Sequence, residues 1–311
     1  MAMEILVVAN NKGGTGKSTL SVMLSMYFAR QGLKTLGMDF DPQCNYSRRF
    51  VDMEIDPENQ EVMRPPLHSE FEEGIDFWHG RNSTADIFYE GSFVVGYETG
   101  FDNLEIIPGH STHLLNVERV TEVDLSDKVH SRLMEWFSTW EDDLFDVVII
   151  DTGPSKGPLT TSALHAADHI IIPAEMEEFS VEGLYGMLAF WRGTNLQRPK
   201  NRPLNLIGVL ANKYDERLPI HRHYYEALSR HPMLGDFMLP IKMHNWQDYK
   251  EAMMQDGKPV LDLLPKNKTR IEAESICRMI EECIHDNVHQ SQEPDEEKQQ
   301  VGESLSAVTA E

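Results

Sequence analysis

Short apolar runs alternate with amphipathic segments along most of this chain. Two of the runs, Val147-Val148-Ile149-Ile150 and Ile170-Ile171-Ile172, are apolar without interruption. Strands that are covered by helices on both faces have this character, whereas a strand with one face in water alternates. The alternation of such runs with helical patterns predicts βαβ units. We therefore expect an α/β fold, in which a predominantly parallel, twisted β-sheet is flanked by helices.

The same pattern predicts individual elements. Strands are expected at Ile5–Ala9, Thr35–Asp39, Leu104–Pro108, Asp146–Asp151, His169–Pro173 and Leu206–Ala211. A helix is expected over Lys17–Gln31, where Leu20, Met23, Leu24, Tyr27 and Phe28 share one side. Helical spacing recurs near the C-terminus at Ala273, Ile276, Cys277, Ile280 and Ile284. This spacing places Cys277 in a core more simply than in a ligand set.

Two regions break the pattern. Residues 50–81 are polar and contain Pro65-Pro66, so they predict a surface insertion. Residues 287–311 contain 6 acidic residues, 1 lysine and few apolar ones, which is typical of a disordered acidic tail. The remaining chain is long enough for one large α/β domain. We expect residues 1–286 to form that single domain.

Composition restricts the setting. No stretch approaches the ~18 apolar residues that a membrane span needs. The start of the chain has no basic segment followed by an apolar run, so no signal peptide is expected. The three cysteines form no CxxC pair, which is simplest in a reducing cytosol. The sequence therefore predicts a cytoplasmic protein without a membrane partner.

Charge is distributed unevenly. The net charge is −23. Between Arg192 and Arg270 there are 14 basic and 8 acidic residues, which gives +6, so the rest of the chain carries −29. Such asymmetry indicates either a face that binds a polyanion or a solvated surface that is basic by chance.

A glycine-rich loop lies just after the first predicted strand and just before the first predicted helix. It reads Lys12-Gly13-Gly14-Thr15-Gly16-Lys17-Ser18-Thr19. Its glycines let backbone N–H groups point inward, and the helix N-terminus adds a positive dipole end. Lys17 can reach the β- and γ-phosphates of a nucleotide, Ser18 can ligate Mg²⁺, and Thr19 can bond a phosphate oxygen. The sequence therefore predicts a phosphate-binding loop.

The loop departs from the general G-x-x-x-x-G-K-[ST] pattern at one end. Asn11 stands where glycine is expected, and a second lysine, Lys12, follows it. Two lysines are more than one triphosphate needs. Lys12 is therefore a candidate to reach a phosphate across a dimer interface and to neutralise charge in the transition state.

Acidic residues follow two of the predicted strands. Asp151 ends a buried apolar strand, where a carboxylate is costly unless it serves a metal or a donor. It suits a Walker-B role, in which it holds Mg²⁺ through water. Asp39 and Asp41 follow the second strand, and both could approach the γ-phosphate because strand ends face the ligand crevice. We expect Asp39 near the metal and Asp41 to orient the attacking water, although turn chemistry alone also explains an Asp-x-Asp-Pro segment.

Recognition of the base is ambiguous from the residues alone. Asn212-Lys213-Tyr214-Asp215 matches the N-K-x-D form with which GTPases bind guanine. Four residues with one wildcard recur often by chance, so this match has little weight.

Together these motifs resemble one known family, the ParA/MinD group of deviant Walker A ATPases, and within it the Soj-like ParA partition ATPases. The further segments that carry the resemblance are Asp39–Gln43, Asp151–Ser155, Ile172–Glu175, Glu178–Leu184, Gly208–Leu210 with Tyr214-Asp215, and Gly257–Val260. It spans roughly residues 4 to 285. Thr15 and Gly153 depart from the residues usual in the family, and neither change removes a catalytic group.

The resemblance implies a P-loop NTPase that binds ATP and Mg²⁺ and forms an ATP-sandwich homodimer. By position, Lys12 is the signature lysine that acts in trans, and Lys17 is the Walker-A lysine. Ser18 is the Mg²⁺ ligand, Asp41 the switch carboxylate needed for hydrolysis, and Asp151 the Walker-B acid. The position of Asn212 typically meets adenine, which favours ATP over GTP.

The function implied is that of a positioning ATPase at the nucleoid. The ATP dimer binds DNA without sequence preference, and a ParB-like or other adaptor stimulates its slow hydrolysis and releases it. A plasmid or chromosome is then segregated. The residues singled out for DNA contact are Arg217, Arg222, Lys242 and Arg270. No DNA-reading segment precedes the loop, so operator binding is not expected.

Four alternatives stay open at this stage. A ParA-like protein can position a chemotaxis cluster or a protein microcompartment. A MinD-type membrane regulator needs a basic amphipathic C-terminal helix, and this terminus is acidic. A redox protein like the nitrogenase iron protein needs cysteines near the second switch, and none lies between Cys44 and Cys277. A metabolic enzyme that uses the same loop to phosphorylate a small molecule is the fourth.

Overall fold

A computed structural model describes residues 3–60, 62–71, 79–89, 91–140, 144–232 and 234–291. Ten strands lie in these ranges. They are β1 (Glu4–Val8), β2 (Thr35–Phe40), β3 (Glu54–Ile55), β4 (Met63–Arg64), β5 (Tyr97–Glu98), β6 (Leu104–Ile107), β7 (Val147–Thr152), β8 (His169–Glu175), β9 (Asn205–Tyr214) and β10 (Met238–His244). Eight of them form one sheet in the order β10-β9-β8-β1-β7-β2-β6-β5. All pairings in it are parallel except β5 with β6, which confirms a predominantly parallel sheet.

Helices cover both faces of this sheet. They are α1 (Lys17–Arg30), α2 (Ser47–Phe50), α3 (Ser111–Glu118), α4 (Val123–Phe137), α5 (Pro158–Ala166), α6 (Glu178–Gln197), α7 (Pro219–Ser229), α8 (Gln247–Ala252) and α9 (Lys268–Ser291). Short 3₁₀ turns lie at Thr84–Phe88, Gly235–Phe237 and Val260–Asp262. No helix in the part of the chain that the structure describes is long and apolar enough to cross a membrane.

The core has two layers, one on each face of the sheet. In β1, Ile5 and Val7 face one layer, whereas Leu6 and Val8 face the other. Successive side chains of a strand point to opposite faces, so a strand covered on both sides must be apolar throughout. The predicted apolar positions of α1 and the last helix are all buried in the second layer. Cys277 is among them and is fully buried, as predicted.

Six of the strands lie where the apolar runs predict them, within a few residues. The sequence did not reveal β10, which lies at the edge of the sheet and contains Pro240. A proline cannot donate to a sheet ladder and is tolerated only at such an edge. The two-residue strand β5, at the opposite edge, is too short to give a pattern.

The regions that broke the pattern are partly described. In the predicted insertion, β3 and β4 pair as a small antiparallel ladder. Arg64 at its end contacts Glu54 and Asp56 at 3.4 and 2.9 Å. Helix α9 continues to Ser291 and so includes the first five residues of the predicted acidic tail. The remainder of that tail, residues 292–311, lies outside the described residues.

Candidate functional site

The predicted loop and carboxylates meet at the carboxyl edge of the sheet. Strand β7 lies between β1 and β2, and its register sets Asp151 beside Val8 on one side and Asp39 on the other. The loop that leaves β1 therefore passes directly over Asp151. Parallel strands bring their carboxyl ends to one edge, which is where ligands bind in open α/β sheets. Residues more than a hundred positions apart are thus brought into one site.

The phosphate loop has the backbone shape that its glycines predict. Gly14 and Gly16 have φ angles of 76° and 83°, values that residues with a Cβ rarely adopt. Asn10 fixes the start of the loop, because its Nδ2 donates to Pro173 O at 2.8 Å and its Oδ1 accepts from Lys12 N at 3.0 Å. Asn212 Nδ2 donates to Thr15 O at 2.5 Å and so holds the far side of the loop. Helix α1 begins at once, with Lys17 as its first residue.

Lys17 is 6% exposed and points back into the loop. Its Nζ donates to Lys12 O at 3.1 Å, so the ammonium lies inside the ring of loop carbonyls and N–H groups. Burial lowers the pKa of Lys17, while the nearby carboxylates of Asp151 and Asp41 act in the opposite direction. Lys12 itself is half-buried. The two lysines thus differ in burial: Lys17 is enclosed, and Lys12 is partly exposed.

Two serines of α1 engage Asp151. Ser18 Oγ donates to Asp151 Oδ2 at 2.7 Å, and Ser21 Oγ donates to Oδ1 at 2.8 Å. Asp151 is fully buried, and burial raises its pKa. The hydroxyl of Ser18 and this carboxylate form a pair of oxygen donors of the kind that Mg²⁺ prefers. Sequence reasoning missed Ser21, although its position three residues after Ser18 puts both on one helix face.

The two aspartates after β2 have different surroundings. Asp39 is fully buried, and its oxygens accept from Asp41 N at 3.0 Å, Ser47 N at 2.8 Å and Ser47 Oγ at 2.6 Å. Burial beside Asp151 raises the pKa of Asp39 well above its usual range. Asp41 borders the cavity, and its Oδ1 accepts from Gln43 N at 2.9 Å. Asp39 therefore supports the loop that carries Asp41, and its predicted contact with a metal stays a prediction.

Some of these groups line a cavity of ≈ 620 Å³, whereas the predicted site residues Lys12, Thr15, Asp39, Asp151 and Asn212 are not among its lining residues. Its predicted lining residues are Gly13, Gly14, Gly16, Lys17, Ser18, Thr19 and Asp41. Its other lining residues, which sequence reasoning missed as site residues, are Gln43, Asn45, Arg48, Pro154, Lys213, Lys250, Met253, Met254 and Gln255. The last four come from α8 and the segment after it, which are remote in sequence from the phosphate loop and from Asp41. The cavity is lined by four cationic side chains, Lys17, Arg48, Lys213 and Lys250, and by one carboxylate, Asp41. Its charge therefore suits an anion such as a nucleotide.

The segment that matches N-K-x-D is divided between two tasks. Asn212 contacts the phosphate loop as described, and Lys213 Nζ lies 2.9 Å from Glu175 Oε1. Asp215 accepts from Arg217 Nε and Nη2 at 2.9 and 2.7 Å, and hydrogen bonds from Arg217 hold the pKa of this carboxyl well below its usual range. The Asp215 carboxylate is therefore already occupied by a guanidinium.

The four residues singled out for DNA contact are not gathered by any common interaction. Arg222 is exposed on α7. Arg217 is bound to Asp215, and Lys242 Nζ lies over the rings of Tyr214 and Tyr225 at 4.3 and 4.4 Å. Arg270 Nε lies 2.7 Å from Glu274. Of the other basic residues in the segment, Arg198 is 7% exposed and donates to the carbonyls of Leu164 and His165, so it cannot reach DNA phosphates.

A glycine-rich loop between β1 and α1, an enclosed lysine and a carboxylate at the end of a neighbouring strand define a P-loop NTPase. The AAA_31 family model, described as an AAA domain, matches residues 3–205. The chromosome-partitioning ATPase Soj of Treponema pallidum is 32% identical over 230 residues, which are 73% of this chain and 78% of Soj. This chain therefore belongs to the ParA/MinD-type ATPases.

Two further comparisons agree with this placement. Protein IncC of Escherichia coli is 30% identical over 259 residues, and the match covers 83% of this chain but only 63% of IncC. An ATP complex of a McdA variant from Cyanothece has the same fold, with a TM-score of 0.70 at 19% identity. That match covers 91% of this chain and 97% of McdA.

Proposed function

We propose that this protein is a nucleotide-switched positioning ATPase that binds ATP with Mg²⁺, dimerises in the ATP state and then binds DNA without sequence preference. The observation that carries the proposal is that Lys17, Ser18 and Asp41 line one cavity, while the buried carboxylate of Asp151 accepts from Ser18 Oγ at 2.7 Å. Similarity to Soj and IncC supports the partition role. A ParB-like or other adaptor would stimulate hydrolysis and so release the dimer from the nucleoid.

The donors around Ser18 fit Mg²⁺. The described residues contain no group of three or more His, Cys, Asp or Glu side chains that could hold a metal ion by themselves. Mg²⁺ binds to nucleotide sites through one or two protein oxygens, with phosphate and water oxygens completing the shell. Ser18 and Asp151 would hold it, and the cation would neutralise charge on the phosphates. We propose that Asp39 acts behind them by holding the loop of Asp41.

Each remaining group has a role that its position suggests. Lys17 and the loop N–H groups bind and orient the phosphates. Asp41, beside the cavity, orients the water that attacks the γ-phosphate. Lys12, which is half-buried, reaches the nucleotide of the second protomer and stabilises the charge that develops there. Such catalysis is mainly positioning and electrostatic stabilisation, since the protein supplies no covalent chemistry.

The test is hydrolysis by two variants at the proposed roles. Lys17→Ala should weaken nucleotide binding because the phosphates lose their enclosed cation. Asp41→Ala should keep ATP bound but block cleavage, with a loss of about 10²-fold or more in kcat. The measurements are phosphate release and a binding titration with a non-hydrolysable ATP analogue, both with Mg²⁺.

The matched control is Asp236→Ala. Asp236 is exposed and lies just before the amino end of β10, whereas the site lies at the carboxyl ends of the strands. It should leave both quantities unchanged. Hydrolysis by Asp41→Ala at the wild-type rate would show that the assigned role of Asp41 is wrong.

A further inference from the structure

A short segment closes one side of the nucleotide cavity. It comprises residues 252–257, directly after α8, and is called the rim loop below. Met253, Met254 and Gln255 of the rim loop line the same cavity as Lys17 and Asp41. Its own backbone bonds are few: Met253 N and Met254 N donate back to α8, and Gly257 N donates to Met254 O at 2.8 Å. Something else must therefore fix its place at the cavity.

Gln255 Nε2 contributes one further bond, to Asp52 Oδ1. The larger set of contacts is made by Arg49 of α2, a residue that is only 5% exposed. Its Nε donates to Ala252 O at 2.7 Å, its Nη1 to Gln255 O at 3.2 Å and its Nη2 to Gly257 O at 2.9 Å. All three nitrogens of one guanidinium thus bond to carbonyls of the rim loop. A planar fork of fixed geometry is suited to hold three backbone groups at once, and an ammonium is not.

The other surroundings of Arg49 are apolar. Its guanidinium lies 6.0 Å from the ring centre of Phe50 and 5.8 Å from that of Phe101. Within the described ranges no carboxylate forms an ion pair with it. Removal of this guanidinium would leave three carbonyls without their donor; the bond to Ala252 O is buried and the other two are partly buried.

Helix α2, which carries Arg49, is hydrogen-bonded to strand β2, which precedes Asp41. Ser47, the first residue of α2, donates its N–H and hydroxyl to Asp39 at the end of β2. Cys44 N donates to Asp41 O at 2.8 Å. The segment with the proposed catalytic carboxylate and the rim loop are therefore joined by the three bonds of Arg49 and by a bond from Gln255 to Asp52, although they are some two hundred residues apart in sequence.

We propose that Arg49 is a positioning residue that holds the rim loop against the bound nucleotide and so sets affinity for ATP. The inference rests on the proposed ATPase function. Asp41 is held by local bonds from Gln43, Cys44 and Asp39, so loss of Arg49 leaves it in place. An interaction made equally in the ground and transition states changes KM and leaves kcat unaltered. Arg49 therefore affects KM, whereas a purely structural residue lowers the active fraction and thus the apparent kcat.

The experiment compares Arg49→Lys and Arg49→Gln with wild type in the full chain. Measured quantities are KM, kcat, affinity for a non-hydrolysable ATP analogue and amide hydrogen exchange of residues 252–257. Arg49→Gln should raise KM and weaken analogue binding about tenfold, and Arg49→Lys should do so less because it restores part of the bonding. The kcat should stay within about twofold, and exchange in the rim loop should be faster in both variants.

The matched control is Arg30→Gln. Arg30 Nη1 donates to Leu261 O at 3.0 Å, a carbonyl just beyond the rim loop, but its side chain is 37% exposed and lies outside the catalytic segment. It should leave KM and exchange at residues 252–257 unchanged. If Arg49→Gln fails to fold, Arg49→Lys decides the matter.

Unchanged KM and analogue affinity in the folded Arg49 variants, or a fall in kcat alone, would overturn the inference. Absence of ATP binding in wild type would instead refute the proposed function. Exchange in the rim loop would then still report whether Arg49 holds it.

Discussion

At the residue scale, the three carboxylates at the carboxyl ends of the strands have different surroundings. Asp151 accepts from two serines, Asp39 from its own loop, and Asp41 borders the cavity. The sequence predicted that these acids converge, because each follows a buried strand. It could not predict Arg49 or Met253, since their partners depend on packing between segments that share no motif. Local order is visible in a sequence, whereas such long-range contacts are not.

We expect the residues that follow β9 to influence the preference for adenine or guanine. Guanine would need the carboxylate of Asp215, and Arg217 already occupies both of its oxygens. We therefore expect ATP to bind about tenfold or more tightly than GTP, since an unpaired donor on guanine is penalised. A competition titration of the two nucleotides measures this.

Arg217→Ala provides the control for that experiment. This substitution frees the Asp215 carboxylate and should reduce the difference in affinity between ATP and GTP. ATP binding should persist, because the Arg217 side chain is 88% exposed. Tighter binding of GTP by the wild-type protein would contradict the expectation and the role proposed for Asn212.

At the scale of elements, apolar runs identified the central strands and missed the edges. The inner strands β7 and β8 are buried throughout, so their sequences are continuous and recognisable. Edge strand β10 has exposed or half-buried positions and a proline, which makes its sequence resemble a loop. The sequence also did not predict the close packing of β2 against the residue that precedes α2. Gly37 of β2 lies against Tyr46, whose hydroxyl lies 2.8 Å from Ser25 Oγ of α1.

This fit leads to a prediction about stability. A Cβ at Gly37 would lie 1.7 Å from the Tyr46 hydroxyl, and Tyr46 is fully buried. Gly37→Ala should therefore lower the free energy of unfolding by about 1–3 kcal/mol, measured by urea denaturation. Tyr46→Phe removes the nearest atom, so the double variant should lose less than the sum of the single changes.

A glycine with open space serves as the control. Gly193 lies inside α6 and has no atom within 4 Å of a built Cβ. Gly193→Ala should be neutral or slightly stabilising, because alanine favours a helix. Equal effects of the two glycine substitutions would mean that close packing at Gly37 is not the cause.

At the scale of the whole molecule, charge governs what the protein can hold. A body of net charge −23 repels DNA, so binding needs a local basic face. Some of the 14 basic residues between 192 and 270 are engaged within the fold, such as Arg198, but eight are exposed: Lys200, Arg217, Arg222, Arg230, Lys250, Lys258, Lys266 and Lys268. One subunit should bind weakly. Two faces fixed in an ATP dimer raise affinity about 10²-fold through effective concentration when the geometry fits.

We therefore expect the ATP state to bind random-sequence DNA and the ADP state to bind far more weakly. Mobility shifts with two unrelated duplexes, with ADP and with an ATP analogue, test this at several salt concentrations. Binding should fall with salt on both duplexes alike, because phosphate contacts dominate. Lys12→Ala should abolish the ATP-state gain by preventing dimerisation, which light scattering can follow.

Surface variants separate a basic face from a general effect of charge. Arg222→Ala should weaken DNA binding without altering ATP binding. Arg119→Ala, at an exposed arginine outside the basic segment, should not. If the protein binds neither duplex in the ATP state at low salt, the proposed partition role is wrong. A metabolic enzyme that uses the same phosphate loop would then be the favoured alternative.

The central place of β1 has a consequence for biosynthesis. Strand β1 is synthesised before both of the strands with which it pairs, which begin at Val147 and His169. The phosphate loop is fastened by contacts that span 163 residues at Asn10 and 197 residues at Thr15. Contacts of such high order form late and slowly. A nascent chain that stops before residue 212 lacks one anchor of its phosphate loop, so the loop becomes functional long after it has been translated.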